Sequence, residues 1–432
     1  MRNFLQTYFK LKENRTSIRV EFIAALTTFV TMVYIIFVNP EILAQTGMNT
    51  NSVFVATCLV AAVGSFLVGI LANYPIALAP GMGLNAYFVY IIARHAGFDW
   101  QAALGAIFLT GLLFILLVAL KLHRKIIAAI PHTLIIGIII GMGLLIALVG
   151  LQNMQLIIHQ PHAWFKFGSP QLLPVLLFLF GVIIIFVLYH FKVLGGILIS
   201  ILLVTAISLL LGVSKFHGIM SLPPTLKPTL FVFDFHKLFN LTGLGIICAF
   251  FIAGLFDFSG VSMGILKQTN IPQQRDYQPR FAKALLSDGI ATLLCGCFGS
   301  SGTTAYLENS AGIHAGGRTG LTAVIISILF LLVLFFAPLT KTIPICATAP
   351  PLIFIGYHMV KHFREINWPD LTDVIPTLAI AAIIPFAGSV ADGAGVGFIA
   401  YIILKLITKK TKAINPTLIV FGIIFVIYFM GT

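Results

Sequence analysis

Long apolar runs separated by short polar segments repeat along the whole chain. A membrane-spanning helix takes about 20 apolar residues, so these runs predict spans. Seven precede a more polar stretch, and they lie at 18–44, 51–72, 75–93, 100–120, 126–151, 171–189 and 193–213. Seven more follow it, at 241–265, 284–299, 303–315, 319–338, 343–360, 371–388 and 391–408. A last apolar run, 415–431, is either a fifteenth span or an interfacial helix.

This arrangement predicts two related halves, residues 1–213 and 241–432, joined by a connector at 214–240. Because seven is an odd number, the second half must enter the membrane from the opposite side. Inverted repeats of this kind are typical of secondary transporters. The predicted fold class is therefore an all-α polytopic membrane protein with 14 transmembrane spans in two inverted seven-span repeats.

Composition excludes the common soluble classes. Of the 432 residues, 59% are hydrophobic and only 9% are charged, against about 25% charged in an ordinary soluble domain. The mean hydropathy is +1.05, so neither a cytosolic enzyme nor a disordered chain fits. The five cysteines lie in apolar runs without zinc-ligand spacing, and we expect no disulfide framework, metal or cofactor.

The net charge of +13 fits membrane anchoring better than nucleic-acid binding, because no basic module stands apart from the spans. With the N-terminus inside and the side alternating at each span, most Lys and Arg residues fall inside. The six that fall outside are Arg94, Lys166, Lys215, Lys227, Lys237 and Lys341. Cytoplasmic loops carry such an excess, which predicts a multi-pass membrane protein with a cytoplasmic N-terminus.

Two spans at matching places in the two halves carry helix-breaking residues. The third reads Ala79-Pro-Gly-Met-Gly-Leu-Asn85-Ala-Tyr, and the tenth reads Gly299-Ser-Ser-Gly-Thr-Thr-Ala-Tyr-Leu-Glu308. Non-helical backbone at membrane depth persists where it lines a cavity or is buried in protein. Two half-helix N-termini meeting there would offer N–H groups to a ligand. The simpler alternative is that the glycines only allow close helix packing.

Three acidic residues fall inside apolar runs: Asp257, Asp288 and Glu308. An acid at the bilayer centre costs about 2.5–3.5 kcal/mol on insertion scales, so a function is expected of them. A carboxylate can accept ligand N–H groups or carry a proton that couples transport to the proton gradient. The alternatives are a helix cap for Asp288 and structural hydrogen bonds for the other two.

Aromatic residues flank these polar candidates. Tyr87, Phe256, Phe258 and Tyr306 could stack on a flat ligand, although an aromatic residue in a membrane helix more often faces lipid or core.

Three segments together resemble one known family. They are the first-span run from Ala24 to Pro40, the third-span run Ala79–Phe88, and the tenth-span run Thr304–Gly312 with Gly316–Ala323. The sequence resembles the AzgA-like purine permeases, a branch of the nucleobase–cation symporters, over about residues 18–430.

This resemblance implies the uracil-permease type of fold. Spans one to four and eight to eleven would form a core domain, residues 18–120 and 241–338. The remaining spans would form a gate domain, residues 121–213 and 339–432. The third and tenth spans would each contain a short strand before a half-helix.

The resemblance also implies the site. Purine base would be taken up with protons and would lie between the broken spans and the eighth span. Glu308 and Asp257 match the family's substrate carboxylates, and Asp288 matches its ninth-span acid; these three are the expected proton-coupling residues. The other residues expected at the base are Gly83, Asn85, Ala86, Phe256, Ser259 and Thr304.

Two positions depart from the family pattern. The eighth span usually carries a second acid, which falls here on Gly254, and Asn309 follows Glu308 where many members have serine. Taken as a whole, the resemblance implies a proton-coupled importer of hypoxanthine or guanine in the bacterial inner membrane, with adenine as the next expected substrate. The rivals are a carrier of the same fold for uracil, xanthine or an anion, a channel, and a membrane enzyme, for which no catalytic motif is present. Membrane lipid is the expected surrounding, and a homodimer through the gate helices stays open.

Overall fold

The computed structural model describes residues 2–94, 98–129, 131–160, 163–168, 171–269, 271, 276–410 and 414–431. The basic residues Arg275 and Lys412, assigned to the inner side from the sequence, lie outside this part.

Helices form most of the described chain. Those before the connector are α1 (Arg2–Tyr8), α2 (Ile18–Met32), α3 (Ile35–Ala44), α4 (Thr50–Leu67, continued by a π-helical turn Val68–Ala72), α5 (Met82–Arg94), α6 (Trp100–Ala119), α7 (His123–Ala129), α8 (His132–Asn153), α9 (Leu172–His190) and α10 (Gly196–Leu210). Those after it are α11 (Leu241–Leu266), α12 (Tyr277–Phe298), α13 (Asn309–His314), α14 (Gly320–Val333), α15 (Pro338–Thr342), α16 (Ile345–Val360), α17 (Leu371–Ala387), α18 (Val390–Ile407) and α19 (Pro416–Gly431).

Eight helices in the described ranges are long and apolar enough to cross a membrane. They are α2 with α3 (27 residues), α4 with its π-helical turn, α6, α8, α9, α11, α12 and α18. Shorter apolar helices lie in α5, α10, α14, α17 and α19. The chain is therefore a multi-pass membrane protein, as its composition predicts.

Four short strands make two small sheets. The strands are β1 (Leu78–Pro80), β2 (Ile157–Gln160), β3 (Ala163–Phe167) and β4 (Thr303–Ala305). Strands β2 and β3 pair antiparallel between α8 and α9, in the connection between the spans predicted at 126–151 and 171–189. The apolar and aromatic residues of Ile157–Phe167 suit a strand as well as a helix.

The start of α12 also differs from the prediction. The run at 284–299 implied a helix beginning beside Asp288, but α12 begins at Tyr277, so the alternative that Asp288 caps a helix is wrong. The first turns of α12 carry polar residues, so the hydropathy of the sequence does not predict a helix there. One of them, Arg280, donates from Nε to the carbonyl of Ala72 at 2.8 Å.

Two sets of helices pack mainly within themselves. The first contains α2, α3, α4, α5, α6, α11, α12, α13 and α14, and the second contains α8, α9, α10, α16, α17 and α18. At one end of the second set the Lys405 ammonium lies 2.8 Å from Asp373 and 3.3 Å from Asp370. Asp370 precedes the apolar part of α17. Hydrogen bonds from the side chains of Lys410 and Thr372 hold the pKa of its carboxyl well below its usual range.

Strands β1 and β4 join the two halves of the chain inside the first set. They pair antiparallel, with Ala79 opposite Thr304. The Asn309 side chain accepts the N–H of Ala77 at 2.7 Å and donates to its carbonyl at 3.0 Å. The Ser65 hydroxyl oxygen accepts the N–H of Leu78 at 3.0 Å. Backbone groups at membrane depth need partners within the protein, and these contacts supply them.

Glu21 fixes the first span to the segment that follows α13. Its side chain is fully buried. One carboxylate oxygen accepts the N–H of Arg318 at 3.0 Å, and the other accepts the Thr322 hydroxyl at 2.5 Å. Negative charge is favourable at the N-terminus of a helix, here α14. Glu21 is therefore a structural carboxylate.

We expect Glu21→Gln to destabilise the protein by about 3 kcal/mol, because the amide NH₂ would face buried donors that lose their acceptor. The thermal midpoint of the detergent-solubilised protein measures this. Glu13→Gln is the matched control, since Glu13 is 70% exposed. An equal midpoint for both variants would contradict the structural role of Glu21.

Candidate functional site

A cavity of about 850 Å³ lies between the two helix sets. The first set contributes Tyr34, Gly83, Phe256, Asp257, Ser259, Thr304, Tyr306 and Glu308. The second set contributes an apolar wall from α8 and α16, including Ile135, Ile136, Ile139, Phe354, Ile355 and His358. Lys192 and Lys267, which the charge pattern assigns to the cytoplasmic side, also line it.

Glu308 lies at the head of α13, directly after the irregular part of the tenth span. Its side chain is half-buried, and its Oε1 accepts a hydrogen bond from the Tyr34 hydroxyl at 2.7 Å. Gly312 allows this approach of α13 to α2, since a Cβ there would lie 2.0 Å from Thr28 Oγ1. One carboxylate oxygen is thus held by the protein while the group lines the cavity.

Asp257 faces the same cavity from the middle of α11. Its side chain is half-buried, whereas the neighbouring Phe256 and Ser259 are each only 2% exposed. Thr304, from β4, lies beside the carboxylate. Asp257 and Glu308 therefore present two acceptor groups to one enclosed space.

The two broken spans offer different backbone groups. In α5 the first helical bond runs from the N–H of Asn85 to the carbonyl of Gly81 at 2.9 Å. The N–H groups of residues 82–84 therefore have no acceptor within the helix, and Met82 and Gly83 line the cavity. In α13 the first N–H groups donate to Tyr306, Leu307 and Glu308. The expected pair of open helix N-termini is thus reduced to that of α5.

Gly83 is a point of close contact between α5 and α8. A Cβ at this position would lie 1.8 Å from the Met142 methyl group of α8. The missing side chain lets α8 reach the head of α5.

Three expected site residues lie behind the cavity wall. Asn85 is fully buried and accepts a hydrogen bond from the Ser301 hydroxyl, and Ala86 is 1% exposed. Asp288 is fully buried on α12, where its Oδ1 accepts the Thr303 hydroxyl at 2.8 Å. Since Thr303 and Thr304 are consecutive in β4, Asp288 contacts the residue next to the one that lies beside Asp257.

The position of the missing eighth-span acid is filled by apolar atoms. A Cβ on Gly254 would lie 3.1 Å from the Phe114 ring and 3.8 Å from Leu84. Phe114 and Phe251 are also in ring contact, with centroids 5.1 Å apart. A longer acidic side chain at residue 254 would have to displace Phe114, so this chain is built for one carboxylate in α11.

Sequence reasoning did not assign some of the residues that line the site. Tyr34 lies in the first-span family segment, which also carries the hydroxyls of Thr27, Thr28 and Thr31, and nothing in the spacing placed it beside Glu308. In the wall from α8 and α16 the polar lining residues are His132 and His358, and Nδ1 of His358 lies 3.3 Å from the carbonyl of Phe354. These residues could be found only from the packing of the two helix sets.

Known solved structures share the fold. The transmembrane domain of a cyanobacterium bicarbonate transporter, BicA, matches with a TM-score of 0.63 at 18% identity, covering 85% of this chain and 96% of that one. SLC26A9 matches with a TM-score of 0.67 at 10% identity, covering 91% and 66%. Likeness at these identities concerns the fold alone.

Curated relatives are closer in sequence. The adenine permease AdeP of Escherichia coli (strain K12) is 39% identical, over 98% of this chain and 95% of its own. The guanine/hypoxanthine permease PbuO of Bacillus subtilis (strain 168) is 37% identical, over 97% and 99%. The nucleobase transporter PlAzg2 of Paenibacillus larvae is 32% identical, over 89% and 76%.

The family model named Xan_ur_permease, described as Permease family, matches residues 19–396. The AzgA-like resemblance is confirmed by these relatives, which are permeases and transporters and not enzymes. This chain belongs to that permease family and is a transport protein of the membrane, with nucleobase permeases among its relatives.

Proposed function

We propose that this protein is a proton-coupled secondary transporter that imports purine bases, with hypoxanthine and guanine as first choice and adenine next. The observation that carries the proposal is the pair of carboxylates, Asp257 and Glu308, in one cavity between two helix sets. Relatives named as adenine and as guanine/hypoxanthine permeases support a purine cargo.

The proposed architecture has 14 spans in two inverted repeats. The core domain comprises residues 18–120 and 241–338, and the gate domain comprises 121–213 and 339–432. The separate packing of the two helix sets and the pairing of β1 with β4 support this division. Rocking of the gate against the core would expose the midplane cavity to each side in turn, with the N-terminus in the cytoplasm.

The cavity suits a flat ligand that carries N–H donors. Asp257 and Glu308 accept N–H groups of the base, and the N–H groups at the head of α5 meet its ring acceptors. Phe256 and Tyr306 lie beside the carboxylates for stacking. Guanine offers adjacent N–H donors on one edge, its N1–H and its 2-amino group, which one carboxylate can accept together, and this favours guanine over adenine.

Proton coupling is assigned to the same carboxylates, with Asp288 behind them. Each purine would enter with a proton held on Asp257 or Glu308 and leave as the proton departs to the cytoplasm. Because Asp288 contacts β4 through Thr303, its protonation state can act on the strand that carries Thr304.

A carrier of another cargo remains the second candidate. The likeness to BicA, a bicarbonate transporter, concerns fold alone. Two carboxylates in the described wall repel an anion at short range, and this favours a neutral base with N–H groups over an anionic cargo.

We expect Glu308→Gln and Asp257→Asn each to lower kcat/KM for hypoxanthine uptake by about 10- to 100-fold, which is the usual worth of a hydrogen bond to a charged group. Uptake of radiolabelled hypoxanthine by cells without their own purine permeases measures it, with adenine, guanine, xanthine and uracil as competitors. An uncoupler should abolish accumulation by the unchanged protein.

Glu13→Gln is the control for the carboxylate-to-amide change, because Glu13 lies on the exposed N-terminal segment. Full uptake by Glu308→Gln at equal membrane abundance would rule out the carboxylate role. If uracil alone competed with hypoxanthine, the result would favour the second candidate, a carrier of another cargo.

We expect Tyr34→Phe to raise the KM for the base about tenfold, because Glu308 loses the donor that fixes its Oε1. Tyr8→Phe is a matched control, since Tyr8 donates to the carbonyl of Ile70 far from the cavity. An unchanged KM in Tyr34→Phe, with normal abundance, would show that Glu308 is positioned without Tyr34.

A further inference from the structure

The cavity is larger than a purine base needs. Its 850 Å³ lies toward the upper end of the roughly 300–1,000 Å³ typical of sites for drug-sized ligands. A base held at Asp257 and Glu308 would fill only its inner part. The remaining volume reaches the mouth, so a ligand with the same base and a longer substituent could occupy both regions.

Charge changes sign along this cavity. Asp257 and Glu308 lie in the part formed by α11 and the broken tenth span, whereas Lys192 and Lys267 line the part at the ends of α9 and α11. Within the described residues, neither lysine forms an ion pair with a carboxylate. Among the described residues that line the cavity, the one further acid is Glu365, which lies 3.9 Å from the imidazoles of His132 and His362.

A side vestibule adjoins the part of the cavity that Lys192 lines. It shares Tyr189, Lys192 and His358 with the main cavity. It is also lined by His190, Gln268, Ser310 and His314, and the described residues give it no acidic lining residue. Leu194, Gly195 and Gly196 also line the mouth where α10 begins, and the first N–H groups of a helix have no acceptor within it. Lysine and N–H groups together are the usual partners of a phosphate.

We propose that the inward-open cavity binds purine nucleoside 5′-monophosphates from the cytoplasmic side and is inhibited by them. The base would occupy the site at Asp257 and Glu308, and the phosphate would meet Lys192 and Lys267. This inference rests on the proposed function, because it needs a purine at the two carboxylates.

Such a ligand would be held without being carried. A phosphate monoester bears a charge of about −1.5 to −2 at pH 7, and closing the gate over it would bury that charge away from water at high cost. The ribose and phosphate would also fill the part of the cavity that Lys192 and Lys267 line. The nucleotide therefore stabilises the inward-open state.

The inhibiting nucleotide can be formed from the imported base itself. Any reaction that attaches a ribose phosphate to the imported base consumes the cargo and yields a ligand of this class. Its accumulation in the cytoplasm would slow further entry of base. A phospholipid headgroup carries the same phosphate chemistry and could reach the same lysines, so the test must separate the two.

The first measurement uses the purified full-length protein. Its thermal midpoint is followed with guanosine 5′-monophosphate, inosine 5′-monophosphate, the parent nucleosides, inorganic phosphate and phosphatidylglycerol micelles. We expect the nucleotides to bind at least about tenfold more tightly than the nucleosides. In the double variant Lys192→Gln, Lys267→Gln, the rise in thermal midpoint with nucleotide should fall to the rise seen with nucleoside. The larger rise with nucleotide should be kept in Lys121→Gln, because Lys121 does not line the cavity.

The second measurement uses inside-out membrane vesicles, in which the cytoplasmic face meets the medium. Nucleotide in the medium should inhibit hypoxanthine transport, and the ratio of its inhibition constant to the KM for hypoxanthine should rise at least about tenfold in the double variant. Equal binding of nucleotide and nucleoside, or inhibition that persists in the double variant, overturns the inference. Binding of phosphatidylglycerol but not of nucleotide assigns the lysines to lipid and also overturns it.

The two proposals fail in different ways. Normal hypoxanthine transport without any nucleotide effect removes the inference and leaves the proposed function in place. Absence of purine transport and of purine binding by folded protein removes both.

Discussion

The need to satisfy backbone polar groups at membrane depth governs this structure. Two spans are interrupted, and their free N–H and C=O groups cannot be left to lipid. The pairing of β1 with β4 satisfies these groups, and so do the hydrogen bonds between both backbone groups of Ala77 and the Asn309 side chain. The position of every cavity residue from the broken spans depends on these bonds.

The site follows from this constraint. Strand β4 ends where Tyr306 and Glu308 begin the turn into α13, so the strand pairing fixes the height of the Glu308 carboxylate. Gly312 then brings α13 against α2, where Tyr34 bonds to Glu308. Asp257 comes from a continuous helix and needs no such break. One carboxylate is thus placed by irregular backbone and the other by regular helix.

The sequence predicted the element map well because hydropathy is a strong signal in membrane helices. The apolar runs and the interrupted segments agree with the helices within a few residues, except at two helices. The first turns of α12 are polar and gave no such signal, and the run at 126–151 begins in α7, whereas α8 begins at His132. Asp257 and Glu308 were found because acids are costly in apolar runs. The burial of Asn85, the role of Tyr34 and the apolar wall depend on contacts between distant segments. Periodicity along one segment contains no information about such contacts.

The pairing of β1 with β4 has a consequence for how the chain can be assembled. Each strand comes from a different half of the sequence, and neither has a strand partner within its own half in the described fold. A chain cut within the connector at 214–240 would therefore yield two fragments that each hold part of the cavity wall but no complete binding pocket. Only their reassociation in the membrane would restore it, so during synthesis the pocket can form only after the tenth span has been made.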